Sequence, residues 1–437
     1  MSILAIVILS LLYLFFLIIF FKFFKPVIIS PAYIFVLFNL ANIVLSILYF
    51  YFYDNKFSIA NVDDIDAEMF WLIIQLFLFA NVAFLIGILF YHEISSKAIK
   101  RLYSTNLNQH LFIKFNPSRK LMGYTFLLTF IIILFYLVVY GKQLYLRAEY
   151  IPKFELKFLI TIAKILSLIN AILLGLIRVK KRNYANISIF LIVLFTFATG
   201  SRVTFLILTL YFLISFQTSG NTLKNKLKFF LQLIFSFIFL SYIVSIRQIP
   251  FHGIKPYITT VFNQDSEIFR SVAFNIYYSL IFGIFATSKT LIKGSPDWYY
   301  IYVSLSPLPG RLVNWQEVAQ ELKITKFMPF TLHGQVFEMG YTFTLFFFIL
   351  VGNLFGYFEK NVRKFLARNK RNSAMFFALL MALFVFYSFE YHLRSAFRYF
   401  YYAFFFLFVF WAIKSIRNFI LHFLRKAKKS ASEELKK

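Results

Sequence analysis

The sequence predicts an all-α polytopic membrane protein of about eleven transmembrane helices, with one large external loop that itself contains short helices. Three observations carry this expectation. Apolar residues make up 60% of the 437-residue chain and charged residues only 15%, and mean hydropathy is +0.74, far from the balance of a soluble domain. The apolar residues fall in long blocks separated by short charged loops, as membrane-crossing helices require. Those blocks lack the period-two alternation of an outer-membrane barrel.

The spans read as 3–21, 31–53, 69–91, 121–140, 156–177, 186–199, 203–216, 229–246, 340–358, 373–389 and 396–413. No basic residue precedes the first block, whereas Lys22 and Lys25 follow it. This reverses the charge order of a signal peptide and sets the N-terminus outside. The third span is preceded by an acidic connector with Asp63, Asp64 and Asp66. After the fifth comes Arg178-Val179-Lys180-Lys181-Arg182. The sixth and seventh are short, about 20 Å each at 1.5 Å per residue, against a hydrocarbon core of about 30 Å. Ser271 to Ile292 is apolar enough to be a further span, yet crossing there would carry the basic run 359–371 outside. The positive-inside bias therefore lays it on or into the outer face, within a loop running from 247 to 339. The domain order is then 1–246 for helices one to eight, 247–339 for the loop, 340–413 for helices nine to eleven, and 414–437 for a basic amphipathic cytoplasmic tail.

The net charge of +28 is a topology signal and not a nucleic-acid footprint. With the C-terminus inside, the cytoplasmic segments hold 29 Lys and Arg against 4 acids, a bias suited to anionic lipid. The absence of cysteine excludes disulfides, a thiol nucleophile and thiolate metal sites. No histidine spacing resembles a metal site, and there is neither a P-loop nor a dinucleotide fingerprint. Phe, Ile, Lys, Asn and Tyr are abundant together, as in AT-rich coding, so aromatic density carries no functional weight here.

The most informative stretch is Thr199-Gly200-Ser201-Arg202, the corner between the two short helices. Short helices recess that corner below the membrane surface. An arginine at such depth costs roughly 2.5–3.5 kcal/mol unless it faces a polar cavity or a partner. The outer loop has its own order of parts. It opens with Arg247-Gln248-Ile249-Pro250 and passes Asp265, Glu267 and Arg270. It continues through Ser306-Pro307-Leu308-Pro309-Gly310-Arg311 and closes with His333-Gly334-Gln335-Val336-Phe337-Glu338-Met339-Gly340. Prolines 307 and 309 stiffen an elbow that presents Arg311, unless Arg311 pairs with Glu317 or Glu321.

A Gly-Ser-Arg corner between short paired helices, followed by a long external loop with a Pro-x-Pro segment and a Glu-x-Gly stretch entering a span, resembles the bacterial O-antigen and capsule repeat-unit polymerases (Wzy-type). The resemblance covers roughly residues 186–358 in detail and the rest as a count of spans. It implies a glycosyltransferase-C-like enzyme in the bacterial inner membrane. Such an enzyme joins undecaprenyl-diphosphate-linked oligosaccharide donors and acceptors on the outer face, with no metal or other cofactor. It also implies a flippase and a chain-length regulator as partners.

The chemistry agrees with that expectation. A lipid diphosphate leaving group gains negative charge as the glycosidic bond breaks, and guanidinium forks suit it. Arg202 and Arg247 rank first as diphosphate ligands, with Arg311, Arg270 and Arg394 behind them; Arg398 also lies at an outer span end. Snorkelling anchorage at the interface is the competing role for the first two. The weakly nucleophilic acceptor hydroxyl benefits from a base, for which Glu338 and His333 are the candidates. Five residues apart on a helix, they point about 140° from one another. Glu390, His392 and Arg394 form a polar knot on the last outer turn, and Lys164 lies within the fifth span. Arg147 and Glu149 bind substrate or pair with each other. Rival readings are an O-antigen ligase, a lipid-phosphate-sugar glycosyltransferase using Asp63, Asp64 and Asp66, and a lipid-linked oligosaccharide flippase.

Overall fold

The computed structural model describes residues 3–53, 57, 64–113, 115–150, 156–247, 249–262, 266–325 and 328–434. Among them are eighteen α-helices and one two-stranded antiparallel ribbon, Lys323–Thr325 against Met328–Pro329. Nine helices are long and apolar enough to cross a membrane: Leu4–Phe23, Pro31–Phe52, Ala67–Ile94, Arg119–Leu144, Phe158–Ile177, Leu223–Ser245, Gly340–Ala367, Arg371–Glu390 and Leu393–Ile420. The two short apolar helices are Arg182–Ala198 and Val203–Ser219. At 17 residues each they reach about 25 Å, still short of the hydrocarbon core. Every one of the eleven expected segments is therefore helical, and the protein is a helical membrane protein.

The chain divides into two compact units, residues 1–105 with 282–437, and residues 106–281. This division cuts the expected outer loop at Ile281. The apolar run 271–292, read from sequence as one helix, is two: Ser266–Leu280 in the second unit and Phe282–Lys293 in the first. The tail differs as well, since one helix runs from Leu393 to Glu434 without a break at 413.

In the first unit, Ala67–Ile94 and Gly340–Ala367 pack backbone to backbone. A Cβ on Gly87 would fall 2.2 Å from the Ile349 carbonyl oxygen, and one on Gly352 would fall 2.2 Å from that of Phe84. Small residues at such a contact let dispersion forces act without a hydrophobic drive between helices. Aromatic rings fill the flanks, with Phe35 stacked on Phe84 at 3.8 Å between centroids. One end of the unit is locked by a fully buried ion pair. Arg363 Nε donates to Glu359 Oε1 at 2.6 Å, and its other nitrogens donate to the carbonyls of Lys25, Leu102 and Tyr103. Glu359 Oε2 accepts from Ser30 Oγ at 2.7 Å, and Ser30 also caps the Pro31–Phe52 helix.

The second unit is an up-and-down bundle. Its core joins Ile132, Tyr136, Leu174, Ile192, Ile207 and Tyr211. Asn170 Nδ2 donates to Thr129 Oγ1 and the Thr125 carbonyl, a polar tie between helices of an apolar bundle, while its Oδ1 is buried without a partner among the described residues. In both units large apolar side chains such as Leu11, Phe15, Phe126 and Phe190 stand exposed, the surface expected to meet lipid tails.

Candidate functional site

The Thr199–Arg202 corner sits at one end of the second unit and is built around one glycine. Gly200 has φ +65°, and a Cβ there would meet the Tyr150 ring at 2.8 Å and the Tyr257 hydroxyl at 3.1 Å. Left-handed backbone and crowding together require glycine. Its carbonyl is the hub of the corner. Tyr150 Oη donates to it at 2.9 Å, while Arg247 donates from Nη2 at 2.9 Å and from Nε at 3.2 Å. The Arg247 guanidinium lies 5.3 Å from the Tyr150 ring centroid, within cation–π range.

Arg147 braces the corner from below. It is 6% exposed, and Nη1 donates to the carbonyls of Ala198 at 2.8 Å and Gln143 at 3.2 Å. Nε donates to the Glu149 carbonyl, and Nη2 is buried without a partner. Arg147 is thus a structural brace, joined to Glu149 through its backbone and not its carboxylate. Paired backbone hydrogen bonds between Arg147 and His252 tie on the chain beyond the Leu223–Ser245 helix. His252 shares a hydrogen bond with Tyr257 Oη at 3.1 Å. Burial, then the Arg147 charge, holds His252 below its ordinary value, so it is neutral at pH 7. Burial also lowers the proton affinity of Arg247, the neighbouring Arg202 charge adding to the effect against Tyr150 and Tyr257. A guanidinium nevertheless stays charged.

Arg202 differs from these. It stands exposed at the N-terminal boundary of the Val203–Ser219 helix and makes no side-chain hydrogen bond among the described residues. Lys164 lies within electrostatic reach of Arg247. Among the described residues the ion pairs involve only Glu93 and Glu359, so no described carboxylate pairs with this cluster. Arg270 is exposed on the Ser266–Leu280 helix and joins no ion pair either. Asp265 and Gln248 lie outside the described residues.

In the first unit, the Leu332–Glu338 helix presents His333 and Glu338 in different directions. Thr331 caps it, its Oγ1 accepting from Gly334 N at 2.9 Å. His333 is 1% exposed. It is boxed by Phe77, Phe337, Phe348 and Phe389, and its Nδ1–H donates to the Ser388 carbonyl at 3.0 Å. Burial pushes it down to about 3, so it is a neutral core residue at pH 7. Glu338 instead lines a cavity of about 360 Å³ with Met69, Leu72, Leu291, Pro296 and Tyr341. Its Oε1 is buried without a partner. Burial pushes the carboxyl up to about 7. Gly294 makes room for it, since a Cβ there would fall 1.7 Å from Oε1.

The remaining candidates are arranged around the proline elbow. Arg394 donates from Nη1 to the carbonyls of Val303 at 2.5 Å and Ser306 at 3.3 Å, and from Nη2 to that of Leu308 at 2.5 Å. Its guanidinium lies 5.2 Å from the Trp315 ring centroid. It therefore clamps the elbow. Arg311 is exposed on the Gly310–Leu312 turn and pairs with neither Glu317 nor Glu321. His392 packs edge-on to Trp315 at 4.5 Å, and burial, then the Arg398 charge, pushes it down to about 4. Glu390 is partly buried at the end of its helix. Asp66 caps Ala67–Ile94, accepting from Met69 N at 2.7 Å, so its carboxylate already has a structural partner. Asp64 accepts from Lys289 Nζ through its backbone carbonyl, and Asp63 lies outside the described residues.

Sequence reasoning singled out Arg202, Arg247 and Glu338 but missed Tyr150, Tyr257 and the Gly200 carbonyl. Only the crowding at Gly200 unites these, and that is invisible in a linear chain. No protein-family model, no curated protein and no solved structure matches this chain.

Proposed function

We propose that the protein joins undecaprenyl-diphosphate-linked oligosaccharide repeat units into a surface polysaccharide, O-antigen or capsule, on the outer face of a bacterial inner membrane. The observation that carries this reading is the uncompensated cationic corner. Arg202 stands free beside Arg247, which the Gly200 carbonyl fixes in place.

Arg202 donates its fork to the donor's diphosphate, and the Arg247 charge behind it strengthens the field where leaving-group charge develops. The Gly200 carbonyl orients Arg247 before substrate arrives, so its part of the field costs little reorganisation during bond cleavage. The acceptor hydroxyl attacks the donor's anomeric carbon and the lipid diphosphate departs. Within the first unit, Glu338 has an unpartnered buried oxygen and a proton affinity near neutrality, the attributes that Brønsted behaviour favours in a base. His333, already donating to Ser388 within an aromatic box, keeps the fold around it.

The test is polysaccharide ladder length in a deletion strain complemented with wild type, Arg202→Ala or Arg247→Ala at matched membrane abundance. The reading requires single capped repeat units in the deletion strain and no restored ladder with Arg202→Ala. Full ladders in the uncomplemented strain would contradict it.

A further inference from the structure

The end of the second unit opposite the Gly200 corner carries another cationic cluster that pairs with no carboxylate among the described residues. The 17-residue Val203–Ser219 helix separates the two by about 25 Å. Arg178, just past the Lys157–Ile177 helix, donates from Nη1 to Ser215 Oγ at 2.7 Å and lies 5.3 Å from the Tyr211 ring centroid. With Ser219, Asn225, Lys228 and Gln232 it lines a cavity of about 30 Å³. Lys228 has no hydrogen bond or ion pair among the described residues. Arg178, Arg182 and Lys224 all lie within electrostatic reach of it.

The walls of this cavity are preset. Asn225 Nδ2 donates to the Ser219 and Gly220 carbonyls, and Ser219 Oγ donates to the Ser215 carbonyl. Phe216 and Phe229 stack at 4.5 Å between centroids and close one side. The volume admits roughly two or three water-sized atoms, room for some of the four oxygens of a tetrahedral oxyanion whose remainder stays at the mouth. Arg178 and Lys228 share the recess, with Arg182 and Lys224 near enough to add to their mutual repulsion, and an anion between them relieves it.

From this geometry we infer a phosphate-binding site for the headgroup of an anionic lipid or for a soluble phosphate. Arg178 offers its unoccupied nitrogens and Lys228 a point charge. The same arrangement of basic pockets between membrane helices suits anionic headgroups in general. The inference is independent of the polymerase reading, because the cavity shares no residue with the Gly200 corner.

The experiment is thermal unfolding of the full-length protein in detergent micelles, titrated with phosphatidylglycerol, phosphatidylcholine or inorganic phosphate. Phosphatidylglycerol should raise the Tm of wild type where phosphatidylcholine does not. Its apparent affinity should fall about fivefold in Lys228→Gln and about 25-fold in the Lys224→Gln/Lys228→Gln double variant, at the usual contribution per surface cation. Lys228→Arg should retain it, and Lys370→Gln, a basic residue of the other unit, should leave it unchanged. Inorganic phosphate matching phosphatidylglycerol, with the same loss in the variants, would establish the site and assign it to a soluble anion. Equal affinities of wild type and Lys228→Gln for both ligands would overturn the inference.

Discussion

At the scale of single residues, arginines of one appearance in sequence do three different jobs. Arg147 and Arg394 commit their forks to backbone carbonyls, Arg363 grips a buried glutamate, and Arg202 stands free. The carbonyl acceptors have no sequence signature, which is why Arg394 read as a ligand candidate and the bracing role of Arg147 went unread. Glu338 and Gly294 form the other residue-scale unit. The proton affinity of Glu338 is raised from 4.5 to about 7 by burial, so the folded protein holds a proton that the unfolded chain releases. Stability is therefore lost as pH rises from about 4.5 to about 7, because the unfolded state binds fewer protons across that window. Glu338→Gln should flatten this slope in unfolding midpoints measured across pH. If Glu338 is the base, the rising limb of activity near pH 7 should vanish in the same variant. Gly294→Ala, which displaces the carboxylate without removing it, should reduce activity as well; normal activity with a wild-type pH profile would remove Glu338 from the chemistry.

At the scale of elements, the packed pair Ala67–Ile94 and Gly340–Ala367 depends on Gly87 and Gly352, and its far end on the buried pair Glu359–Arg363. Removing one partner of a buried ion pair leaves an uncompensated charge or empty acceptors, at a cost of roughly 3–5 kcal/mol. Arg363→Met should accordingly lower the unfolding midpoint sharply, since the carbonyls of Lys25, Leu102 and Tyr103 lose their donor with it. Glu359→Gln should also lower it, because the amide leaves the Arg363 charge uncompensated and turns an NH2 toward the Ser30 hydroxyl and the Ala32 N–H. Equal and small effects of both would show that the pair does not hold this end. These elements were legible as apolar runs, because their hydrophobic length stands out in the sequence. The split at Ile281 was not legible. The run 271–292 reads as one apolar stretch, and only tertiary packing, so close that a Cβ on Gly283 would fall 2.6 Å from Phe389 Cβ, distinguishes its second half.

At the scale of the whole molecule, charge asymmetry makes the topology testable. The chain has no cysteine, so a single introduced thiol reports its own side of the membrane. Ser201→Cys should react with a membrane-impermeant maleimide from outside intact cells, and Lys224→Cys and Lys370→Cys only after lysis. The reverse pattern would invert the topology and place the Gly200 corner on the wrong face for lipid-linked donors. Within the second unit, basic side chains gather at both ends of the short Val203–Ser219 helix. Composition announced the excess of positive charge, whereas its collection around Gly200 depends on the tie between Arg147 and His252.

In the proposed reaction Arg202 grips a diphosphate while Arg247 holds the corner that presents it. The most direct measurement is the affinity of the purified protein for a polyprenyl diphosphate, compared among wild type, Arg202→Gln and Arg202→Lys, with the unfolding midpoint recorded for each. Loss of a charged bidentate donor costs about 1.5–3 kcal/mol. Arg202→Gln should therefore bind roughly ten- to a hundredfold more weakly at an unchanged midpoint, and Arg202→Lys should fall between. Undiminished diphosphate affinity in Arg202→Gln would contradict the account and return Arg202 to the role of an interfacial anchor.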